Sequence, residues 1–106
     1  MSSSSAFAAE TYLSCSFVDI MGKPQKADLA LNAATRSADV YFPSTGAGSQ
    51  WPATFAPKMV TIHMGDMMVM SVDRVTMKLL RLSQAGGKQY RESGSCKKTV
   101  APKRAF

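Results

Sequence analysis

Short apolar runs, each interrupted by Gly, Pro, Ser or Asn, recur about every ten residues along this chain. That cadence belongs to a β-meander rather than to a helical bundle. Thr11 to Ile20 reads as a first strand, closed by Gly22-Lys23-Pro24. Asp28-Leu29-Ala30-Leu31-Asn32 alternates polar and apolar with period two, as a strand with one wet face does. Asp39-Val40-Tyr41-Phe42 forms a third strand that Pro43 stops. From Pro43 to Pro57 the composition shifts to Ser, Thr, Gly, Ala and Pro around Trp51 and Phe55, which predicts a long loop of the kind that often carries function. The densest strand signal follows, Met59 to Met64 and Met67 to Val72, with Gly65-Asp66 between them as a two-residue type II′ hairpin. Met77 to Leu82 and Gln89 to Lys98 complete the set, joined through Ala85-Gly86-Gly87-Lys88. Val75, Leu79 and Leu82 recur at helical spacing, but β-branched Val75 and Thr76 favour a strand there. The expectation is an all-β or β-rich domain of six or seven short antiparallel strands, a meander curling into a small barrel or sandwich.

With 106 residues and 45% hydrophobic content, the chain has room for one domain and one modest core. Residues 10–98 read as that domain, residues 99–106 as a basic tail, and residues 1–9 as a disordered leader or the end of a signal peptide. The last reading rests on Ala6-Phe7-Ala8, a small-x-small pattern like that before a signal-peptidase cut. No stretch approaches the ~20 apolar residues of a membrane-spanning helix. The two cysteines, Cys15 and Cys96, bracket nearly all the strand signal. If they pair, the first and last strands are neighbours, the domain belongs to an oxidising compartment, and the closed loop contributes roughly 4 to 5 kcal/mol in the chain-entropy model. Two buried free thiols are the alternative.

Charge changes the picture of what such a domain meets. Residues 1–57 carry three basic and four acidic side chains, whereas residues 58–106 carry ten basic and three acidic ones, so the formal +6 lies in the second half. A basic half points to a polyanion or an acidic protein surface as partner, against the plainer reading of a solvated tail. Lys78, Arg81, Lys88, Tyr90 and Arg91 are the candidate contact residues there. Trp51 and Phe55 are their counterparts on the predicted loop. A basic nucleic-acid-binding barrel is a further alternative, weakened because Tyr90 is the one aromatic among those residues.

Catalytic chemistry finds little to work with. His63 is the single histidine and sits inside an alternating strand with no nucleophile motif beside it. Gly46-Ala47-Gly48 has neither the third glycine of a dinucleotide site nor the lysine of a phosphate loop. A non-enzymatic protein without a cofactor is therefore expected. Six of the eight methionines fall between Met59 and Met77, around His63. Thioether and imidazole together suit Cu(I), so a soft-metal site of His63, Met67 and Trp51 is an alternative to core packing by methionine.

Tyr12-Leu13-Ser14-Cys15, Val72-Asp73-Arg74-Val75-Thr76, Gly94-Ser95-Cys96 and the closing Lys103-Arg104-Ala105-Phe106 together resemble a loose group of small exported bacterial proteins without assigned function. The resemblance covers the two ends of the chain and departs at Met77, where the group usually has glycine. It implies a disulfide-closed β-domain outside the cytoplasm, periplasmic or secreted, and carries over no active site. Arg74 is expected to fix the sheet through carboxylate or carbonyl contacts. The functional expectation is an exported binding protein with a protein or polyanion partner, in an inhibitor, immunity or surface-accessory role.

Overall fold

The computed structural model describes residues 10–100, so the expectations for the 1–9 leader and for residues 101–106 of the tail lie outside the described residues. Eight strands run in chain order: β1 (Glu10–Val18), β2 (Pro24–Asn32), β3 (Ser37–Phe42), β4 (Ala47–Phe55), β5 (Met59–His63), β6 (Met68–Asp73), β7 (Lys78–Ala85) and β8 (Lys88–Thr99). Each pairs antiparallel with its chain neighbours, and β8 returns to pair with β1, closing an up-and-down barrel. Closure removes the unpaired strand edges that an open meander would expose. Cys15 and Cys96 stand opposite each other across this seam and are joined by a disulfide.

One strand more than expected forms because the 43–57 stretch is not a loop. Trp51, Ala53 and Phe55 alternate with Pro52 and Thr54, and the first three face inward against the core. The ladder to β5 covers Ala53 to Phe55 alone, so Pro52, which has no N–H to give, stands just outside it. Trp51 lies opposite Ala38 on β3, where a fully buried alanine leaves room for the indole.

An eight-stranded barrel is just wide enough for side chains to fill its interior. Leu13, Leu29, Val40, Ile62, Met70 and Leu79, each less than 4% exposed, form the middle of that filling. At one end the turns 19–23, 43–46, 64–67 and 86–87 close the barrel, and the other end carries the turns 33–36, 56–58 and 74–77 together with both ends of the described chain. Polar residues at strand ends organise several of these turns. Asn32 accepts the N–H groups of Ala34 and Thr35, and Asp73 those of Val75 and Thr76. Gly86 and Gly87 take φ of 58° and 79°, as a two-residue type I′ hairpin between Ala85 and Lys88 requires. The Gly65-Asp66 hairpin is longer than expected: His63 pairs with Val69, and Met64 to Met67 form the connection. Met77 holds φ 62°, the left-handed region that favours glycine.

Gly94 faces inward between Phe17 and Leu79, and a Cβ there would come within 2.0 Å of the Ser16 carbonyl oxygen and 2.6 Å of the Phe17 Cα. Both obstacles are on β1, so relief would require β1 and β8 to separate. Gly94→Ala is expected to destabilise the barrel by about 2 to 3 kcal/mol, in the upper part of the range for overpacking. Chemical denaturation followed by far-UV circular dichroism checks this. A midpoint equal to that of the parent protein would show that the seam has slack.

Candidate functional site

Strand parity separates an inner from an outer set of side chains, and it sorts the candidate residues. Lys78 and Arg91 are exposed on the outer wall, as the basic-face reading requires. Lys88 is exposed at the β7–β8 hairpin. Arg81 does not join them. It points into the barrel, its Nε 3.3 Å from Oε1 of Glu92, and its guanidinium carbon lies 5.5 Å from the Phe17 ring centre and 5.9 Å from that of Phe42. Glu92, 6% exposed, also accepts the N–H of Ile20 through Oε2 at 2.9 Å. This ion pair, its guanidinium within cation–π range of both rings, lies at the end of the barrel under the β1–β2 turn. Tyr90 has the same parity as Glu92 and is half-buried, so it does not share a face with Lys78 and Arg91.

The metal triad is likewise not brought together. His63 is exposed on the outer wall, its Nε2 2.9 Å from Oγ1 of Thr54, whereas Trp51 faces the core on the opposite side of the sheet. Met67 is exposed in the turn after β5. Among the other methionines, Met70 is fully buried in the core and Met64 and Met77 pack against it. Among the described residues no group of three or more His, Cys, Asp or Glu is placed to hold a metal ion.

Two surfaces among the described residues stand out for their positive charge. The first is the outer wall of β7, β8, β1 and β2. Lys78 lies opposite Ser95, Ser95 opposite Ser16, and Ser16 opposite Lys26, so one lateral row reads Lys-Ser-Ser-Lys across four strands. Lys97 stands beside it, opposite Ser14, and Ser14 opposite Asp28 in the next outer row. Small hydroxyl side chains between lysines make a low, donor-rich stripe. Ser14, Ser16, Ser95, Lys26 and Lys97 line a shallow cleft along it.

The second is the end of the barrel where both ends of the described chain emerge. A cavity of about 260 Å³ opens there, walled by Leu13, Leu31, Phe55, Val60, Val72 and Met77. Thr11, Ala33, Arg74 and Lys98 form its rim. Phe55 thus belongs to this wall and not to a loop. Lys98 lies opposite Leu13, continuing the inward-facing row of Glu92 and Cys96 beyond the rim. Arg74 is tethered twice: its backbone N–H donates to Lys58 O at 2.8 Å and its Nη1 to Ala56 O at 2.9 Å. The expected carbonyl contact is therefore present, while Asp73 serves the turn and not the arginine. The turn N–H groups of Thr76 and Val75 hold the Asp73 carboxyl below its ordinary pKa. At the opposite end, the N–H of Lys23 and the amide of Gln25 do the same for Asp19. On the outer side of β1, the Tyr12 hydroxyl donates to Glu10 at 2.6 Å, and that bond raises the tyrosine pKa.

Fold and surfaces together define a class, a small closed β-barrel with a disulfide at its seam, a serine-lysine stripe on its wall and a basic mouth. No protein-family model matches the chain, and comparisons with curated proteins and with solved structures give no match either. No helix among the described residues is long and apolar enough to cross a membrane.

The cavity was beyond the reach of sequence reading because its lining comes from β1, β2, β4, β5, β6 and β8 and from two connections. Glu92 was missed although a signal existed: it lies as far beyond the Gly86-Gly87 turn as Arg81 lies before it.

Proposed function

We propose that this chain is a non-enzymatic binding domain of an exported protein, and that it holds a polyanion against the outer wall of β7, β8, β1 and β2. The Lys78-Ser95-Ser16-Lys26 row carries the reading. Three strand spacings put its two lysines roughly 14 Å apart, with serine hydroxyls available to phosphate or sulfate oxygens between them. Lys97 and Arg91 extend the positive surface along β8, and the row itself holds no acid, with Asp73 beyond its Lys78 end and Asp28 in the neighbouring row. The export half of the reading draws on the seam disulfide, which persists in oxidising compartments.

A sulfated polysaccharide such as heparin serves as the probe. The protein is expected to be retained at low salt and released as salt rises, because neutralising anionic groups frees counterions. Reversing Lys26→Glu, Lys78→Glu and Lys97→Glu together is expected to weaken binding at least tenfold with an unchanged thermal melt. Equal retention of that variant would refute the assignment of this face.

A further inference from the structure

The mouth cavity is independent of the outer wall, and its chemistry is different. Its walls are aliphatic and aromatic, its rim holds Thr11, Arg74 and Lys98, and no carboxylate among the described residues lines it. The neighbouring acids are turned elsewhere, Asp73 to the N–H groups of its own turn and Glu10 to the Tyr12 hydroxyl. Lys58 and Arg36 lie in the adjoining turns at the same end and add positive charge there. Arg74 gives one side-chain bond to Ala56 O, which fixes the guanidinium at the rim and leaves further N–H donors of its fork for another acceptor.

We infer that this cavity binds a small amphipathic monoanion, a medium-chain carboxylate whose chain enters the barrel and whose carboxylate rests between Arg74 and Lys98. The volume sets the length. At about 30 Å³ per water-sized group, the 260 Å³ of this part-open recess sets an upper bound of roughly eight such groups. The charge sets the head group, because a carboxylate gains charge-assisted bonds from Arg74 and Lys98 that a neutral head cannot, and a cation would face the two directly. A dicarboxylate is disfavoured by the wall, where Leu31, Val60 and Val72 offer a second charge no partner.

Octanoate is the probe, with 1-octanol as its neutral counterpart, each titrated into the full chain while methyl resonances of Leu13, Leu31, Val60 and Val72 are followed by NMR. Octanoate is expected to shift these methyls saturably and to bind at least tenfold more tightly than octanol. Lys98→Met, which keeps the length of the side chain and removes its charge, is expected to weaken octanoate about tenfold and leave octanol unchanged. Ala33→Phe at the exposed rim is expected to block both, and because Ala33 is outside the core the barrel should keep its melt. Equal affinity for octanoate and octanol, indifference to Lys98→Met, or no methyl shift at millimolar octanoate would each overturn the inference. Heparin retention is expected to be unchanged in Ala33→Phe, so failure here is distinguishable from failure of the outer-wall reading.

Discussion

Glu92→Ala is expected to cost roughly 3 to 5 kcal/mol of folding free energy, because it leaves the Arg81 guanidinium inside the barrel without its counter-charge. Two structural losses compound the electrostatic one. The Ile20 N–H loses the acceptor that ties the β1–β2 connection to β8, and a void opens beside Arg81. Arg81 is 22% exposed and Glu92 6%, so water can reach the arginine more readily than the carboxylate. Removal of Arg81 alone should therefore leave the more deeply buried charge stranded, and Arg81→Met is also expected to destabilise. The informative variant is the double one. Arg81→Met with Glu92→Leu replaces two desolvated ions by apolar groups of similar size and is expected to fall within about 1 to 2 kcal/mol of the parent protein. Urea denaturation of the parent, Arg81→Met, Glu92→Leu and the double variant closes the cycle and gives the coupling directly. If the double variant is as unstable as Glu92→Ala, the loss comes from the Ile20 tether and packing rather than from an unpaired charge.

Replacing Cys15 and Cys96 by alanine carries an expected cost of similar size for a different reason. The bridge joins residues 81 apart in sequence, and a closed loop of that length raises the free energy of the unfolded chain by about 4.5 kcal/mol at room temperature through lost entropy. Cys15 is fully buried, so the alanine also leaves a small cavity on the core side. The native register keeps the two positions opposite each other with or without the bond, so the variant is expected to fold to the same barrel. Its denaturation midpoint should fall, and its m-value should rise because the unbridged unfolded chain exposes more surface. A lower midpoint with an unchanged m-value would place the effect in the folded state instead.

These two sites show which parts of the molecule the sequence makes legible. The alternation Ala27, Leu29, Leu31 on β2 and Val60, Ile62 on β5 is simple because the inward residues are apolar and buried and the residues between them are less buried and, Ala30 apart, polar or exposed. The seam was legible through its cysteines, which mark the first and last strands, and the β-rich barrel follows from the repeated short runs. On β7 the local pattern misleads. In Leu79-Leu80-Arg81-Leu82 the charge lies inside, and Leu80 and Leu82 lie half-buried on the outer wall. A charge is tolerated inside only when its partner arrives, and Glu92 arrives from the next strand in a register fixed by the Gly86-Gly87 turn. On β4 the misleading residues were Pro52 and the glycines near its start, which suit a loop on composition but occur where pairing to β5 is absent. The stripe on the outer wall was half visible. Lys78 and Arg91 were candidates, but Ser16, Ser95 and Lys26 join them only through lateral register, which no single segment encodes.

The return of β8 to β1 also governs when this protein can become itself. Neighbouring hairpins can form as soon as their two strands exist, but the pairing of Tyr12 with Thr99 needs nearly the whole described chain. Contacts so distant in sequence form slowly, and until they form β1 and β8 are unprotected edges capable of pairing with another chain. A chain still emerging from a ribosome or a translocation pore is therefore an open sheet. Closure waits for the release of β8, which sets Cys96 opposite Cys15 in the register of the seam, so the last strand to appear is the one that completes both the sheet and the bond.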